Sequence, residues 1–144
     1  MRKFKLNFLH LCDTAFFSQE GKLNIIGVFD VVNLKNISSK LLKAVLVGNI
    51  SVLHPKISKI KFGVKLVNGT NQSIDLKIPP MELAIPKQIK ESEREVKVGF
   101  VLEIGNIKFP KKGKYKFKVS VNGQNIGEVG FEVKVNSRES RKES

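Results

Sequence analysis

The sequence predicts an all-β domain: an immunoglobulin-like β-sandwich of about seven to nine short antiparallel strands, with a closed β-barrel as the alternative. Three observations point there. Apolar residues recur at every second position in run after run. The clearest case is Tyr115, Phe117, Val119 and Val121, with Lys114, Lys116, Lys118 and Ser120 between them. That period belongs to a strand with one face in a core and one in water. Turn signals such as Asn68-Gly69, Pro110 to Gly113 and Asn122-Gly123 punctuate the runs, as hairpins require. No helical period is sustained anywhere in the chain.

Residues 4–12 form the first expected strand, with Phe4, Leu6, Phe8, His10 and Cys12 on one face and Leu9 and Leu11 opposite. Residues 13–21 are a connection closed by a Gln19-Glu20-Gly21 turn. The next strand runs from Lys22 to about Leu34. Leu23, Ile25, Phe29 and Val31 share one face, and Ile26, Val28 and Val32 the other. Gly27 in its middle marks a bulge or a close backbone approach. Residues 35–43 are polar and allow a short helical turn. A β-branched run follows to Leu53, with Gly48 near its centre. His54-Pro55 ends it, because proline has no N–H to give to a ladder.

Lys59 to Val67 alternates cleanly, turns at Asn68-Gly69 and returns as Ile74, Leu76 and Ile78, which is a hairpin pattern. Residues 79–93 hold three of the five prolines and make the longest surface loop. Val96, Val98, Phe100, Leu102 and Ile104 alternate again, with Glu95, Lys97 and Glu103 opposite. The stretch Phe109 to Val121 and a return strand at about Ile126 to Val135 form the closing hairpin. One domain is expected over residues 1–136. Residues 137–144 are an apolar-free charged tail, expected to be disordered.

A chain of 144 residues suits one domain and needs no metal or disulfide to hold its core. Cys12 is the single cysteine, so no intrachain disulfide forms, which fits a reducing compartment. No small-residue cleavage site follows the basic N-terminus, and no apolar run approaches the roughly 18–20 residues of a membrane helix. The expected location is cytoplasmic.

The chain carries 26 basic and 13 acidic side chains, a net charge of +13. Such a balance raises the question of nucleic acid or another polyanion. Lys59, Lys61, Lys65, Lys97, Lys114, Lys116 and Lys118 all take the outward parity of their strands, and would form a basic plane if those strands shared a sheet. Against that reading, arginine occurs only at Arg2, Arg94, Arg138 and Arg141, and arginine is the usual bidentate reader of phosphate and bases. Phe62, Phe100, Phe117 and Phe131 take inward parity, so the row lacks the exposed aromatics on which single strands stack. A solubilising, edge-protecting face is the simpler reading.

Catalytic constellations are thin. His10 and Cys12 share a face, and His54, Asp13 and Asp30 could join them, but nothing has zinc-ligand spacing. No Gly-x-Ser-x-Gly or phosphate-cradling glycine loop occurs, and Glu91, Glu93 and Glu95 lie in or beside a polar loop. No catalytic residue, metal or cofactor is expected. Gly113 and Tyr115 match the corner of immunoglobulin-like sandwiches, where a tyrosine hydroxyl bonds backbone a few residues upstream. Phe117 stands where that pattern has its second cysteine, and the chain has no tryptophan.

Two ends of the sequence add a likeness. Leu11-Cys12-Asp13-Thr14-Ala15 with Gly21-Lys22-Leu23-Asn24-Ile25-Ile26-Gly27-Val28-Phe29-Asp30 resembles the opening of a bacterial family of uncharacterised small proteins. Phe109-Pro110, Gly113, Tyr115, Phe117 and Val121-Asn122-Gly123 resemble that family's closing hairpin. The resemblance implies one domain of sandwich type and no assigned activity. The expected function is therefore a non-enzymatic interaction or structural module with an unknown protein partner, self-association included. Binding of a polyanion through the lysine face is the alternative.

Overall fold

The computed structural model describes residues 3–53, 59–74, 76, 78, 81–84 and 95–135. Ten strands follow one another: β1 (Phe4–Phe17), β2 (Leu23–Val28), β3 (Val31–Leu34), β4 (Lys40–Val52), β5 (Lys59–Asn68), β6 (Ser73–Ile74), β7 (Met81–Ala84), β8 (Val96–Lys108), β9 (Gly113–Val121) and β10 (Gln124–Val135). They make two sheets that do not close into a barrel. One has the order β2-β1-β4-β8. The other has the order β3-β10-β9-β5-β6, with β7 also pairing β5. With β4, β5, β8, β9 and β10 taken as B, C, E, F and G, neighbours B–E in one sheet and C–F–G in the other reproduce the immunoglobulin-like arrangement.

Alternation fills the space between the sheets. Ala44, Leu46, Ile50 and Val52 of β4 meet Phe62 and Leu66 of β5 and Phe117, Val119 and Val121 of β9 in one buried cluster. Phe100 of β8 reaches across to Phe62, their ring centroids 4.4 Å apart. Gly48 makes room for that ring: a Cβ there would lie 2.6 Å from Phe100 and 2.8 Å from the Phe8 carbonyl oxygen. Phe109, Tyr115, Phe117 and Phe131 form a second aromatic nest at one end, with centroids 4.9–6.0 Å apart. Within it the buried Tyr115 hydroxyl donates to the Lys111 carbonyl, four residues upstream. The backbone at Gly113 takes φ +140° to turn the chain between them.

Several expectations are corrected. Among the described residues the strand count is ten, because β3, β6 and β7 are short pieces that alternation over longer runs does not resolve. The sheets are not wholly antiparallel, since β3 runs parallel to β10. The run from Lys22 to Leu34 is two strands in different sheets. Phe29 N–H still bonds Leu11, but Glu132 N–H bonds Asp30, so the chain changes sheets between them. The expected connection at 13–21 is mostly strand, and only Ser18 to Lys22 turns. Residues 35–43 hold no helix but one hydrogen-bonded turn, the Ser39 N–H donating to the Asn36 carbonyl at 3.1 Å, before the chain enters β4 at Lys40. The return strand after Asn68-Gly69 is only Ser73–Ile74 as β6, and β7 occupies part of the expected loop by pairing Lys59 to Phe62. The tail at 137–144 lies outside the described residues.

Candidate interaction surface

The β1–β2 hairpin outgrows its sheet. β4 pairs β1 only as far as Cys12, whereas β2 pairs β1 on to Phe17. The hairpin closes through a short turn in which Ser18 accepts the Gly21 N–H and donates its own N–H to Lys22. Gly21 sits at φ +83°, a backbone that glycine adopts without a Cβ penalty. Lower down, Gly27 is at φ +75° with the Asp13 carboxylate packed where a side chain would stand. A side chain there would be strained and would displace the Asp13 carboxylate, which gives the expected close approach a physical form.

The two faces of this ribbon differ. Ala15 pairs Ile25 and Phe17 pairs Leu23, so the four share one face. Ala15, Leu23 and Ile25 pack on Cys12, Val45 and Val47, a small second core on the outer side of the four-stranded sheet. The Phe17 ring lies against Gly99. Thr14 pairs Ile26 and Phe16 pairs Asn24, which places Phe16 and Ile26 on the opposite face. Phe16 is 48% and Ile26 53% exposed; Phe17 on the first face is 48% exposed as well, and Val28, paired with the fully buried Cys12, is 60% exposed. Of seven large hydrophobic residues exposed among the described residues, Phe16, Phe17, Ile26 and Val28 are on this one hairpin. Scattered exposed hydrophobics are ordinary; here four of them gather on one hairpin.

Val28 leads into a shallow depression of about 270 Å³, lined by His10, Leu11, Phe29, Asp30, Val129 and Gly130 besides Val28 itself. It lies where the chain crosses from β2 to β3. A neighbouring depression of about 470 Å³ shares Asp30 and Gly130 and adds Lys114, Lys116, Glu128 and Glu132. Its lysines face acids. Lys116 Nζ is 3.0 Å from Glu128, and Lys114 stands opposite Glu132 in the β9–β10 register.

The sequence-predicted lysines divide. Lys59, Lys61 and Lys65 on β5 and Lys114, Lys116 and Lys118 on β9 share the six-stranded sheet; Lys97 on β8 belongs to the other sheet. The single basic plane is therefore corrected to a six-lysine face plus a separate residue. Acids interrupt that face, since Glu82 stands opposite Lys61 and Glu128 opposite Lys118. Lys65 and Lys118 oppose each other directly.

Among the described residues, those weighed for chemistry do not converge on one site. Cys12 is fully buried, and its thiol donates to the Thr14 and Val45 carbonyls at 3.4 and 3.7 Å. Burial, and then the Asp13 carboxylate, pushes its pKa above the ordinary 9.0, although the Thr14 contact and Lys43 pull the other way. His10 is exposed and stacks on Phe8 with ring centroids 5.8 Å apart. Asp13 lies on Gly27, and Asp30 lines the depression beside His10. His54, Glu91 and Glu93 are outside the described residues, and Glu95 is exposed. Among the described residues no three His, Cys, Asp or Glu side chains converge as metal ligands. No helix among them is long and apolar enough to cross a membrane.

Sequence reasoning missed the ribbon. Ile26 and Val28 read only as one apolar side of a strand, because apolar alternation does not say whether a covering layer exists. It also missed Asn7, whose amide donates to Asn49 at 2.7 Å and to the fully buried Ser51 at 2.8 Å. Those bonds fasten the irregular step of β1 between Leu6 and Phe8 onto β4.

A family model described as a family of unknown function (DUF6941) matches residues 7–134, and the chain belongs to that family. No curated protein matches it. Two solved structures are similar in shape. One is an alkylpurine DNA glycosylase from Pseudomonas fluorescens bound to DNA containing an abasic site analog, at 14% identity and a TM-score of 0.49. That match covers 94% of this chain, which spans only 31% of the glycosylase chain. The other is an immunoglobulin-like protein from Pseudomonas aeruginosa at 13% identity and a TM-score of 0.42, covering 92% of this chain and 98% of that one.

Proposed function

We propose that this member of a family of unknown function is a non-enzymatic protein-interaction module that engages its partner through the β1–β2 ribbon. One observation carries the reading: Phe16, Phe17, Ile26 and Val28, four of the seven large hydrophobic residues exposed among the described residues, are about half exposed or more on this one hairpin. Keeping such side chains in water costs roughly 25 cal/mol per Å² of apolar area relative to covering them, and a partner that covers them recovers that energy. The experiment is a photo-crosslinking amino acid at Ile26, with the same probe at Lys65 as control, in the native cell. A defined protein adduct from position 26 and none from position 65 supports the module. No protein adduct from position 26 overturns it.

The second reading is polyanion binding by the six-lysine face. It is favoured by the Lys65–Lys118 opposition, a like-charge pair that a bound anion would relieve. Glu82, Glu128 and Glu132 on the same sheet weigh against it. A gel shift across a salt series separates the readings, since phosphate contacts release counterions and weaken steeply with salt. No retardation at low salt removes this second reading.

A further inference from the structure

A sheet edge is a row of unpaired N–H and C=O groups, and proteins guard it with charge, proline or shortness. Among the described residues, β8 carries Lys97, Glu103 and Lys108, and β7 carries Glu82. β3 and β6 are four and two residues long. β2 forms the other edge of the four-stranded sheet and has none of these guards: Leu23–Val28 spans six residues with no charge and no proline. Its backbone turns outward at the middle. Ser18 gives its N–H to the Lys22 carbonyl, so Ser18 and Lys22 are a hydrogen-bonded pair. Antiparallel pairs alternate between bonded and unbonded. Phe16–Asn24 and Thr14–Ile26 are therefore bonded pairs, and Ala15–Ile25 is not. The Ile25 N–H and C=O point away from β1, to the open edge, with the exposed Ile26 next to them.

We infer that an extended segment of the partner protein pairs with β2 as an added strand, exchanging main-chain hydrogen bonds with Ile25 and seating an apolar side chain beside Ile26. This rests on the interaction reading above and adds the mode of binding and the partner's form. Main-chain bonds give such a strand its affinity, and side chains at alternate positions give it selectivity. β2 places no charge beside the added strand. The fitting segment is uncharged over roughly five residues and apolar at alternate positions. The backbone at Gly27, with φ +75°, breaks the strand and limits the pairing on that side. A second copy offering its own β2 is disfavoured, because it would bring together two chains of net charge +13.

The test uses the full chain, isotope-labelled for NMR, and three synthetic peptides of alternating valine and threonine. The first is N-methylated at alternate residues, which leaves one edge able to pair. The second is N-methylated throughout, which leaves none. The third is methylated as the first but carries lysine in place of valine. In the free chain the Ile25 amide should exchange faster than those of Asn24 and Ile26. Only the first peptide should bind, and it should slow exchange at Ile25 at least about tenfold. Its affinity should fall at least about tenfold in Ile25→Pro, which removes the outward N–H, and in Ile26→Lys, which guards the edge, and hold in Lys65→Ala. A melting curve checks folding, and Ile26→Lys, at an exposed position, carries the test if Ile25→Pro unfolds the chain. Equal binding of either other peptide, affinity unchanged in Ile26→Lys, an Ile25 amide already as slow as its neighbours in the free chain, shifts that follow protein concentration alone, or no binding would each overturn the proposal. The interaction reading fails separately. A cross-linked partner that leaves the Ile25 amide exchanging as before sinks the added strand and leaves the module, whereas no adduct from Ile26 sinks the module.

Discussion

The Phe100 ring occupies the space that Gly48 leaves empty, and from there it meets Phe62 of the opposite sheet at 4.4 Å between centroids. The contact joins the two layers at the middle of the core. A methyl group at Gly48 would force either the ring or the Phe8 backbone to move. Overpacking of this kind costs about 1–3 kcal/mol. Gly48→Ala should therefore lower unfolding stability by that amount in a denaturant titration, and an unchanged midpoint would contradict the packing.

Tyr115→Phe should cost about 1 kcal/mol, the usual net worth of a hydrogen bond whose loss leaves a carbonyl short of a donor. The ring itself stays in the nest with Phe109 and Phe131, so the whole effect belongs to the hydroxyl. Chemical denaturation of the two proteins side by side measures it.

Cys12 should resist thiol reagents in the folded protein and react only as fast as the ribbon opens. Its raised pKa also has a sign. The unfolded thiol ionises first, so the contribution is unchanged below pH 9.0 and stability declines as pH rises beyond it. Cys12→Ala should flatten the part of the alkaline decline that belongs to this group. Labelling kinetics and melting curves over an alkaline pH series check both.

Ile26→Asp should leave stability within about 0.5 kcal/mol, because the side chain is half in water. Val47→Asp, on the covered outer side of the same sheet, should unfold the protein or cost several kcal/mol by burying a charge. Circular dichroism on the pair tests whether Ile26 stands open and Val47 stands covered.

Nucleic-acid retention, if seen at about 50 mM salt, should be lost by about 200 mM and show no sequence preference, because the lysine face could supply phosphate contacts alone. Retention that survives the higher salt would point to base or stacking contacts absent from that face.

The sandwich was legible because burial on one side imprints period two on a strand, and β9 with its Tyr115, Phe117, Val119 and Val121 carries that imprint in full. The change of sheet at Phe29-Asp30 was not legible, because Val31 and Val32 continue the apolar run while the hydrogen-bond partner changes from Leu11 to Glu132. The ribbon surface was hidden for the reverse reason. Ile26 and Val28 look like core residues, and only the layer count shows nothing packed over them. The lysine face was visible in part: parity told outward from inward, but the sheet of Lys97 and the acids on β7 and β10 depend on pairings between distant segments.

The most direct measurement is amide hydrogen exchange on the full chain, free and in complex with the partner captured at Ile26. Added protection confined to Thr14–Phe17 and Asn24–Val28, with the β5 and β9 lysine rows unchanged, is the expected result. Protection concentrated on Lys59–Lys65 and Lys114–Lys118, with the ribbon exchanging as before, would contradict it.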